Sequence, residues 1–169
     1  AVLSSLLGTA GGVALDVHDR GHGGDTSKII LDDFFTDALT FLDKVFDRSA
    51  LLMFEVRNSV TAGVPEETIL NEHIAYWKRA SGAGFWCPAM TATPTGGATA
   101  GSDTPAGRVN QMIRNAAPYY TPKLIDCERI PEFAQAGSVA NPTMYGDDVH
   151  LIDAGYAVLG RFFYDALIT

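Results

Sequence analysis

The chain has 169 residues, of which 47% are hydrophobic and 19% are charged. This length fits one domain of ordinary size, and the composition is that of a globular protein, too apolar for intrinsic disorder. Twelve Lys and Arg residues against twenty Asp and Glu residues leave a net charge of −8, which excludes the basic surface that binds nucleic acid. The apolar runs are far shorter than the ~20 residues of a membrane-spanning helix, so no membrane span is predicted.

Short apolar runs alternate along the chain with segments of helical periodicity. Strands, each buried on both faces, are predicted at residues 13–18, 50–56, 84–90 and 123–127. Helices are predicted at residues 28–47 (one helix or a closely spaced pair), 65–80, 104–118 and 153–167. This alternation predicts an α/β fold in which helices cover both faces of a parallel sheet. Ligands bind such sheets at the carboxyl ends of the strands, so the loops after the strands are the places to look for chemistry.

The first candidate site residues lie in the C-terminal stretch YGDDVHLIDAGY, residues 145–156. Asp147 precedes His150 by three residues, ahead of a predicted helix. Its carboxylate can accept a hydrogen bond from the imidazole Nδ1 and leave Nε2 to take a proton from a nucleophile. This arrangement is the base and the orienting group of a catalytic triad, although Asp-x-x-His alone is common and is more typical of a surface helix start.

Together with Gly155 and Tyr156, the Asp-x-x-His stretch resembles the last signature block of the SGNH, or GDSL-type, hydrolases. Residues 19–26 (DRGHGGDT) resemble the second block of that family, and residues 56–59 (VRNS) resemble the third. The resemblance covers essentially the whole chain. It implies a flavodoxin-like, three-layer α/β/α sandwich and a serine esterase or acyl hydrolase acting on a lipid, an acetylated carbohydrate or a similar small ester.

The resemblance also implies roles for four residues. His150 is the general base and then the general acid, and Asp147 orients it. By position, the backbone N–H of Gly24 and the side chain of Asn58 are donors to the oxyanion of the tetrahedral intermediate. One preorganised donor of this kind is worth roughly 3–4 kcal/mol of the barrier. No cofactor and no metal ligand is expected.

The sequence departs from the family pattern in two of these blocks. The third block usually reads Gly-x-Asn-Asp, whereas Val56 and Ser59 occupy its outer positions here. Asp148 competes with Asp147 as the orienting carboxylate, and we prefer Asp147 because it keeps the spacing of the family.

The largest departure is the nucleophile, because the Gly-Asp-Ser of the family's first block does not occur in the sequence. Ser27 follows Gly-Asp-Thr in the second block, and Ser4 and Ser5 lie on a helix-like start, so none of the three replaces it. We therefore expect residues 1–169 to be a single, N-terminally incomplete domain that lacks its first strand, which is central in the strand order 2-1-3-4-5 that the resemblance implies. An upstream segment or a companion polypeptide would supply the strand and the serine, and any secretion signal would precede Ala1.

Two other functions stay open at this point. One is a catalytically inactive binding or structural module, for example a carbohydrate-recognising part of a larger assembly. The other is a metal hydrolase that uses Asp16, His18, His22 and Asp25; the glycines in this stretch favour a loop, which would not hold both imidazoles on one helical face.

Three further residues have predicted environments. His73 is predicted to lie on a helix surface, and Cys87 and Cys127 are predicted to be buried free thiols because their spacing fits neither a disulfide framework nor a metal site.

Overall fold

A computed structural model of the chain describes residues 18, 20–41, 49–94, 103–133, 141–147 and 149–168. Its helices and strands are α1 (Ser27–Asp32), α2 (Phe34–Asp37), α3 (Arg57–Thr61), α4 (Glu66–Ala83), β1 (Ala89–Met90), α5 (Pro105–Tyr120), β2 (Leu124–Ile125) and α6 (Asp153–Ile168). Short 3₁₀ helices cover Leu39–Phe41, Cys127–Arg129 and Pro131–Phe133. None of the helices in these ranges is long and apolar enough to cross a membrane.

The chain divides into two compact units. The strand unit comprises Arg20–Ala92 and Asp103–Asp126 and contains α1 to α5 with both strands. The C-terminal unit comprises Ala1–Asp19, Thr93–Ser102 and Cys127–Thr169 and contains α6.

The sheet lies in the strand unit and is parallel, as predicted. Strand β1 pairs with β2, with Ala89 opposite Leu124. On its other side, the segment leading into β1 forms a parallel bridge between Trp86 and Ala50. The segments predicted as the second, third and fourth strands of this chain therefore lie side by side in sequence order, which confirms the predicted α/β class.

The strands differ from the prediction in length and burial. Residues 51–55 form no strand, and the predicted burial of 50–56 on both faces is wrong because Phe54 is 41% exposed. Helix α3 begins at Arg57, directly after this segment. The predicted strand 13–18 lies outside the described residues except for His18.

The helices follow the sequence signals closely. The predicted segment 28–47 is a closely spaced pair as far as it is described, since α1 and α2 are separated only by Asp33. Helix α4 follows Pro65, carries two glutamates in its first turn, where the helix dipole favours negative charge, and ends at Gly84 with a φ of +100°. Thr104 caps α5 by accepting a hydrogen bond from the Gly107 N–H at 3.1 Å.

The core of the strand unit packs α1, α2, α4 and α5 around a set of aromatic and aliphatic side chains. The Phe34 ring meets the rings of Tyr76 and Phe85 edge to face, with centroids 5.4 and 6.4 Å apart. Trp77 and Ile113 are fully buried in the same cluster. Burial of these large side chains supplies the main driving force that holds the loops of this unit in place.

In the C-terminal unit, helix α6 is tied to the 3₁₀ helix at Pro131–Phe133. Arg161 on α6 donates to Glu132 at 2.7 Å. The rings of Phe133 and Tyr145 pack at 6.1 Å, and the Tyr145 hydroxyl donates to the carbonyl of Pro94 at 2.6 Å. These contacts anchor the residues that precede α6.

Candidate active site

Asp147 and His150 form the hydrogen-bonded pair that their spacing predicts. Nδ1 of His150 lies 2.8 Å from Oδ2 of Asp147. The other carboxylate oxygen accepts the backbone N–H groups of Val149 and His150 at 2.7 and 2.6 Å. The carboxylate thus holds both the imidazole and the turn that carries it, and Nε2 is the imidazole nitrogen left for proton transfer.

The pair is exposed and strongly polarised. The side chains of His150 and Asp147 are 78% and 57% exposed. The hydrogen bond from His150 and the two backbone donors lower the pKa of Asp147 to about 2, because each of them stabilises the carboxylate more than the acid. Asp147 therefore remains ionised and acceptor-only over the whole range in which an imidazole titrates.

The turn that carries the pair is fixed by its own backbone and by the start of α6. Tyr145 and Leu151 form an antiparallel bridge, and the Gly146 N–H donates to the carbonyl of His150 at 2.9 Å. Gly155 lies so close to this turn that a Cβ on it would be 2.5 Å from the carbonyl oxygen of Met144. A glycine at this position therefore allows α6 to pack directly against the turn.

Gly24 lies in the exposed loop before α1 and has a left-handed backbone. Its φ is +92°, which side chains of L-residues rarely adopt. Among the described residues, no acceptor is found for its N–H.

Asn58 lies in the first turn of α3 and contacts the Gly24 loop. Its Nδ2 donates to the carbonyl of Asp25 at 3.0 Å. An amide nitrogen carries two hydrogens, so this bond orients the side chain and leaves a second N–H. The structure therefore brings Asn58 next to the residue that follows Gly24, as the order of the two blocks suggested.

The four predicted site residues occupy two units. Asp147 and His150 lie in the C-terminal unit, and Gly24 and Asn58 lie in the strand unit. Asp148, Ser4 and Ser5 are outside the described residues.

Ser27, the remaining serine considered as a nucleophile, belongs to a buried polar cluster that the sequence reading did not identify. Its hydroxyl donates to Glu72 Oε2 at 2.5 Å and lies 2.9 Å from the hydroxyl of Ser59. Ser59 in turn contacts Oε2 of Glu55 at 2.8 Å. Ser27 and Ser59 are fully buried and Glu55 is 8% exposed. The signal in the sequence was Glu55 itself, an acid at the end of an otherwise apolar run.

Burial shifts the pKa values of two titratable groups in this region. Desolvation raises the pKa of Glu55, against the opposing hydrogen bonds from Ser59. Burial lowers the pKa of His73 to about 4, against an opposing effect of the Glu55 backbone.

The predicted surface position of His73 is wrong, because the residue is 0% exposed. It shares one stripe of α4 with Ile69, Trp77 and Ala80, at the alternating three- and four-residue spacing that marks a core face. Neither ring nitrogen of His73 makes a hydrogen bond of ordinary geometry within the described part of the chain.

The residues of the metal-hydrolase alternative are only partly described, since Asp16 is not. Nδ1 of His22 lies 3.2 Å from Asp25 and 3.8 Å from Asp37. No group of three or more His, Cys, Asp or Glu side chains suited to a metal occurs within the described ranges. The two cysteines, Cys87 and Cys127, are free and buried, as predicted.

The fold is shared with solved ester hydrolases. A protein assigned to the G-D-S-L family of lipolytic proteins from Desulfitobacterium hafniense DCB-2 has a TM-score of 0.77 and 15% identity, over 96% of this chain and 86% of that one. A GDSL-like lipase from Bacteroides thetaiotaomicron VPI-5482 has a TM-score of 0.72 and 18% identity, over 88% and 74%. An acetyl xylan esterase has a TM-score of 0.66 and 18% identity, over 87% and 78%. No protein-family model matches the sequence, and no curated protein does.

At 15–18% identity these likenesses concern the fold alone, and they confirm the fold that the three sequence blocks predicted. The missing first strand and the roles of the individual site residues stay predictions.

Proposed function

We propose that the chain is the greater part of an SGNH-type serine hydrolase that cleaves a small ester, such as a lipid ester or an acetylated carbohydrate. The observation that carries this proposal is the Asp147–His150 pair, with Nδ1 held 2.8 Å from a carboxylate oxygen, on a chain with the fold of GDSL-type enzymes.

The proton is handled by His150. Its Nε2 takes the proton of the serine hydroxyl as that oxygen attacks the ester carbonyl, and later returns it to the leaving alcohol. Asp147 keeps the imidazole in the tautomer that leaves Nε2 unprotonated and stabilises the imidazolium once formed. The low pKa of Asp147 suits this role, because the carboxylate does not take the proton itself.

The negative charge of the tetrahedral intermediate is stabilised by Gly24 and Asn58. The N–H of Gly24 has no competing acceptor among the described residues, and Asn58 is already oriented by its bond to Asp25. Donors fixed in advance need no reorganisation when the charge develops, which is why they lower the barrier.

The nucleophilic serine is proposed to lie outside the 169 residues, because the sequence contains no Gly-Asp-Ser. An upstream segment or a companion polypeptide would carry it with the first strand. Intact mass and N-terminal sequencing of the protein purified from its natural source test this; an authentic start at Ala1 with no companion peptide contradicts it.

The function is tested on the natural protein with a labelled fluorophosphonate and with p-nitrophenyl esters of increasing acyl length, alongside acetylated xylan. Labelling together with turnover supports a serine hydrolase, and the preferred ester assigns the acyl group. Neither labelling nor turnover supports the alternative, a binding or structural module of the same fold. Turnover abolished by a chelator would support the metal-hydrolase alternative instead.

A further inference from the structure

The buried polar cluster of the strand unit has more oxygen–oxygen contacts at hydrogen-bonding distance than it has serine hydroxyl protons. Three oxygen–oxygen contacts run in a row: Glu55 to Ser59 at 2.8 Å, Ser59 to Ser27 at 2.9 Å, and Ser27 to Glu72 at 2.5 Å. Each serine hydroxyl has one proton. If both carboxylates were ionised, the two hydroxyl protons would both point at them, and no proton would remain between Ser27 and Ser59. The row is complete only when one carboxyl group at its ends is protonated.

The number of donating and accepting positions on the Ser59 hydroxyl leads to the same conclusion. Its Oγ already accepts the backbone N–H of Ser27 at 2.9 Å, so one accepting and one donating position remain. One of these positions serves Glu55 and the other serves the Ser27 hydroxyl, so Ser59 donates to one of the two groups and accepts from the other. The three bonds must therefore run the same way along the row, either from Glu55 to Glu72 or the reverse.

Burial decides the direction, because removing a carboxylate from water disfavours its charged form. Glu55 is 8% exposed, and within the described residues it makes no ion pair. Glu72 is only half-buried. His73 on α4 interacts with the Glu55 backbone and is uncharged at neutral pH, because burial lowers its pKa to about 4. Among the described residues, no positively charged side chain is paired with Glu55.

We propose that Glu55 is a neutral carboxylic acid at pH 7 and a positioning residue that donates to Ser59, which donates to Ser27, which donates to the Glu72 carboxylate. The backbone N–H of Ser59 donates to the remaining Glu55 oxygen at 3.0 Å, so the acid is held at both oxygens.

The row joins the two segments that carry the oxyanion donors. Ser27 opens α1, three residues after Gly24, and Ser59 follows Asn58 on α3. A continuous set of hydrogen bonds between α1 and α3 therefore fixes the distance between the Gly24 loop and the Asn58 amide. This consequence rests on the proposed function, whereas the proton on Glu55 does not.

The proton predicts a pH dependence of definite sign. A carboxyl whose pKa is raised on folding binds its proton more tightly in the folded chain than in the unfolded chain, so the free energy of unfolding falls as pH rises through the raised pKa. Below the ordinary carboxyl pKa the contribution is complete. We expect the thermal unfolding midpoint of the full chain to decrease as the pH is raised into the alkaline range. Deprotonation of Glu55 then leaves no proton for the Ser27–Ser59 hydrogen bond.

The test compares Glu55→Gln with wild type. A glutamine amide donates to Ser59 permanently and accepts the same backbone N–H, so the variant should match wild type at pH 5 and unfold at a higher temperature than wild type at pH 9. Glu67→Gln, an exposed glutamate of the first turn of α4, is the matched control and should keep the wild-type pH dependence. Glutamate carbons labelled with ¹³C, assigned by the loss of one signal in Glu55→Gln, report the protonation of Glu55 directly in the wild-type protein by NMR.

A carboxylic-acid signal for Glu55 at pH 7, with a flattened pH profile in Glu55→Gln, supports the proposal. A carboxylate signal at pH 7, a protonated Glu72 in its place, or a variant that unfolds well below wild type at pH 5 overturns it. Absence of ester hydrolysis in a protein with a protonated Glu55 would contradict the proposed function and leave this inference standing. An ionised Glu55 in an active esterase would do the reverse.

Discussion

Two carboxyl groups in this molecule have nearly the same local hydrogen bonds and opposite pKa shifts. Asp147 accepts from the backbone and the side chain of His150, three residues on. Glu55 contacts the backbone N–H and the side chain of Ser59, four residues on. The pKa of Asp147 is lowered to about 2, whereas the pKa of Glu55 is raised.

The difference lies in access to water. The side chain of Asp147 is 57% exposed, and Glu55 is 8% exposed. In water the desolvation cost is small and the hydrogen bonds decide the pKa; in the core the cost of burying a charge exceeds what two hydrogen bonds return. One chain thus uses similar short-range contacts to keep one carboxyl ionised beside an exposed imidazole and another neutral within a packed cluster.

The largest effect is expected from His150→Ala, which removes the imidazole of the exposed Asp147–His150 pair. Loss of the base from a catalytic triad lowers kcat by about 10⁶-fold, so we expect the His150→Ala variant of the natural protein to hydrolyse p-nitrophenyl acetate about 10⁶-fold more slowly. The thermal unfolding midpoint should not change, because the side chain is 78% exposed. Activity retained in a folded variant would remove His150 from the mechanism.

The proposed oxyanion donor of the strand unit is tested by Asn58→Ala. Loss of one oxyanion donor typically costs about 100-fold or more in kcat, and here the amide also holds the Asp25 carbonyl. We expect kcat to fall by about 100-fold with a smaller change in KM, measured by steady-state kinetics.

Asn71→Ala is the matched control for this change, because Asn71 is an exposed residue of α4. It should retain wild-type kcat. Equal losses in the two variants would mean that Asn58 acts on folding and not on the oxyanion.

The effect of burial on a titratable group is tested in the strand unit by His73→Leu. The pKa of His73 falls from 6.5 to about 4 on folding, so the unfolded chain takes up a proton first as pH falls. The free energy of unfolding should therefore decrease between pH 6.5 and 4, by about 3 kcal/mol at most. Leucine cannot be charged and leaves no unpaired ring nitrogen, so the variant should lose this acid sensitivity.

Urea unfolding at several pH values measures the effect. His22→Ala, which removes an exposed imidazole instead, should keep the acid loss of wild type. A His73→Leu variant as acid-sensitive as wild type would place the cause elsewhere.

The sequence predicted the parts of this molecule that depend on local signals. Helix α4 was predicted from Pro65 and the glutamates after it, and the Asp147–His150 contact from a three-residue spacing, because such geometry is set within one turn. Glu55 and His73 could not be placed in the same way. Their environments depend on which face of an element meets the core and on residues distant in sequence, such as Ser27, which lies 32 positions from Ser59. A single sequence does not reveal such contacts.

The smallest effect is expected at Gly155, where helix α6 packs against the turn that carries Asp147 and His150. A Cβ at Gly155 would lie 2.5 Å from the Met144 carbonyl oxygen and 2.8 Å from a methyl group of Leu151. Since backbone cannot yield as a flexible side chain does, Gly155→Ala should lower the free energy of unfolding by about 1–2 kcal/mol and shift the turn that carries Asp147 and His150. Gly82→Ala in α4 is the matched control, because a Cβ there meets nothing within 4 Å; it should stabilise the chain by about 0.5–1 kcal/mol. Urea unfolding of both variants checks the opposite signs, and a Gly155→Ala variant at least as stable as wild type would show that α6 does not depend on a glycine for its packing against the turn.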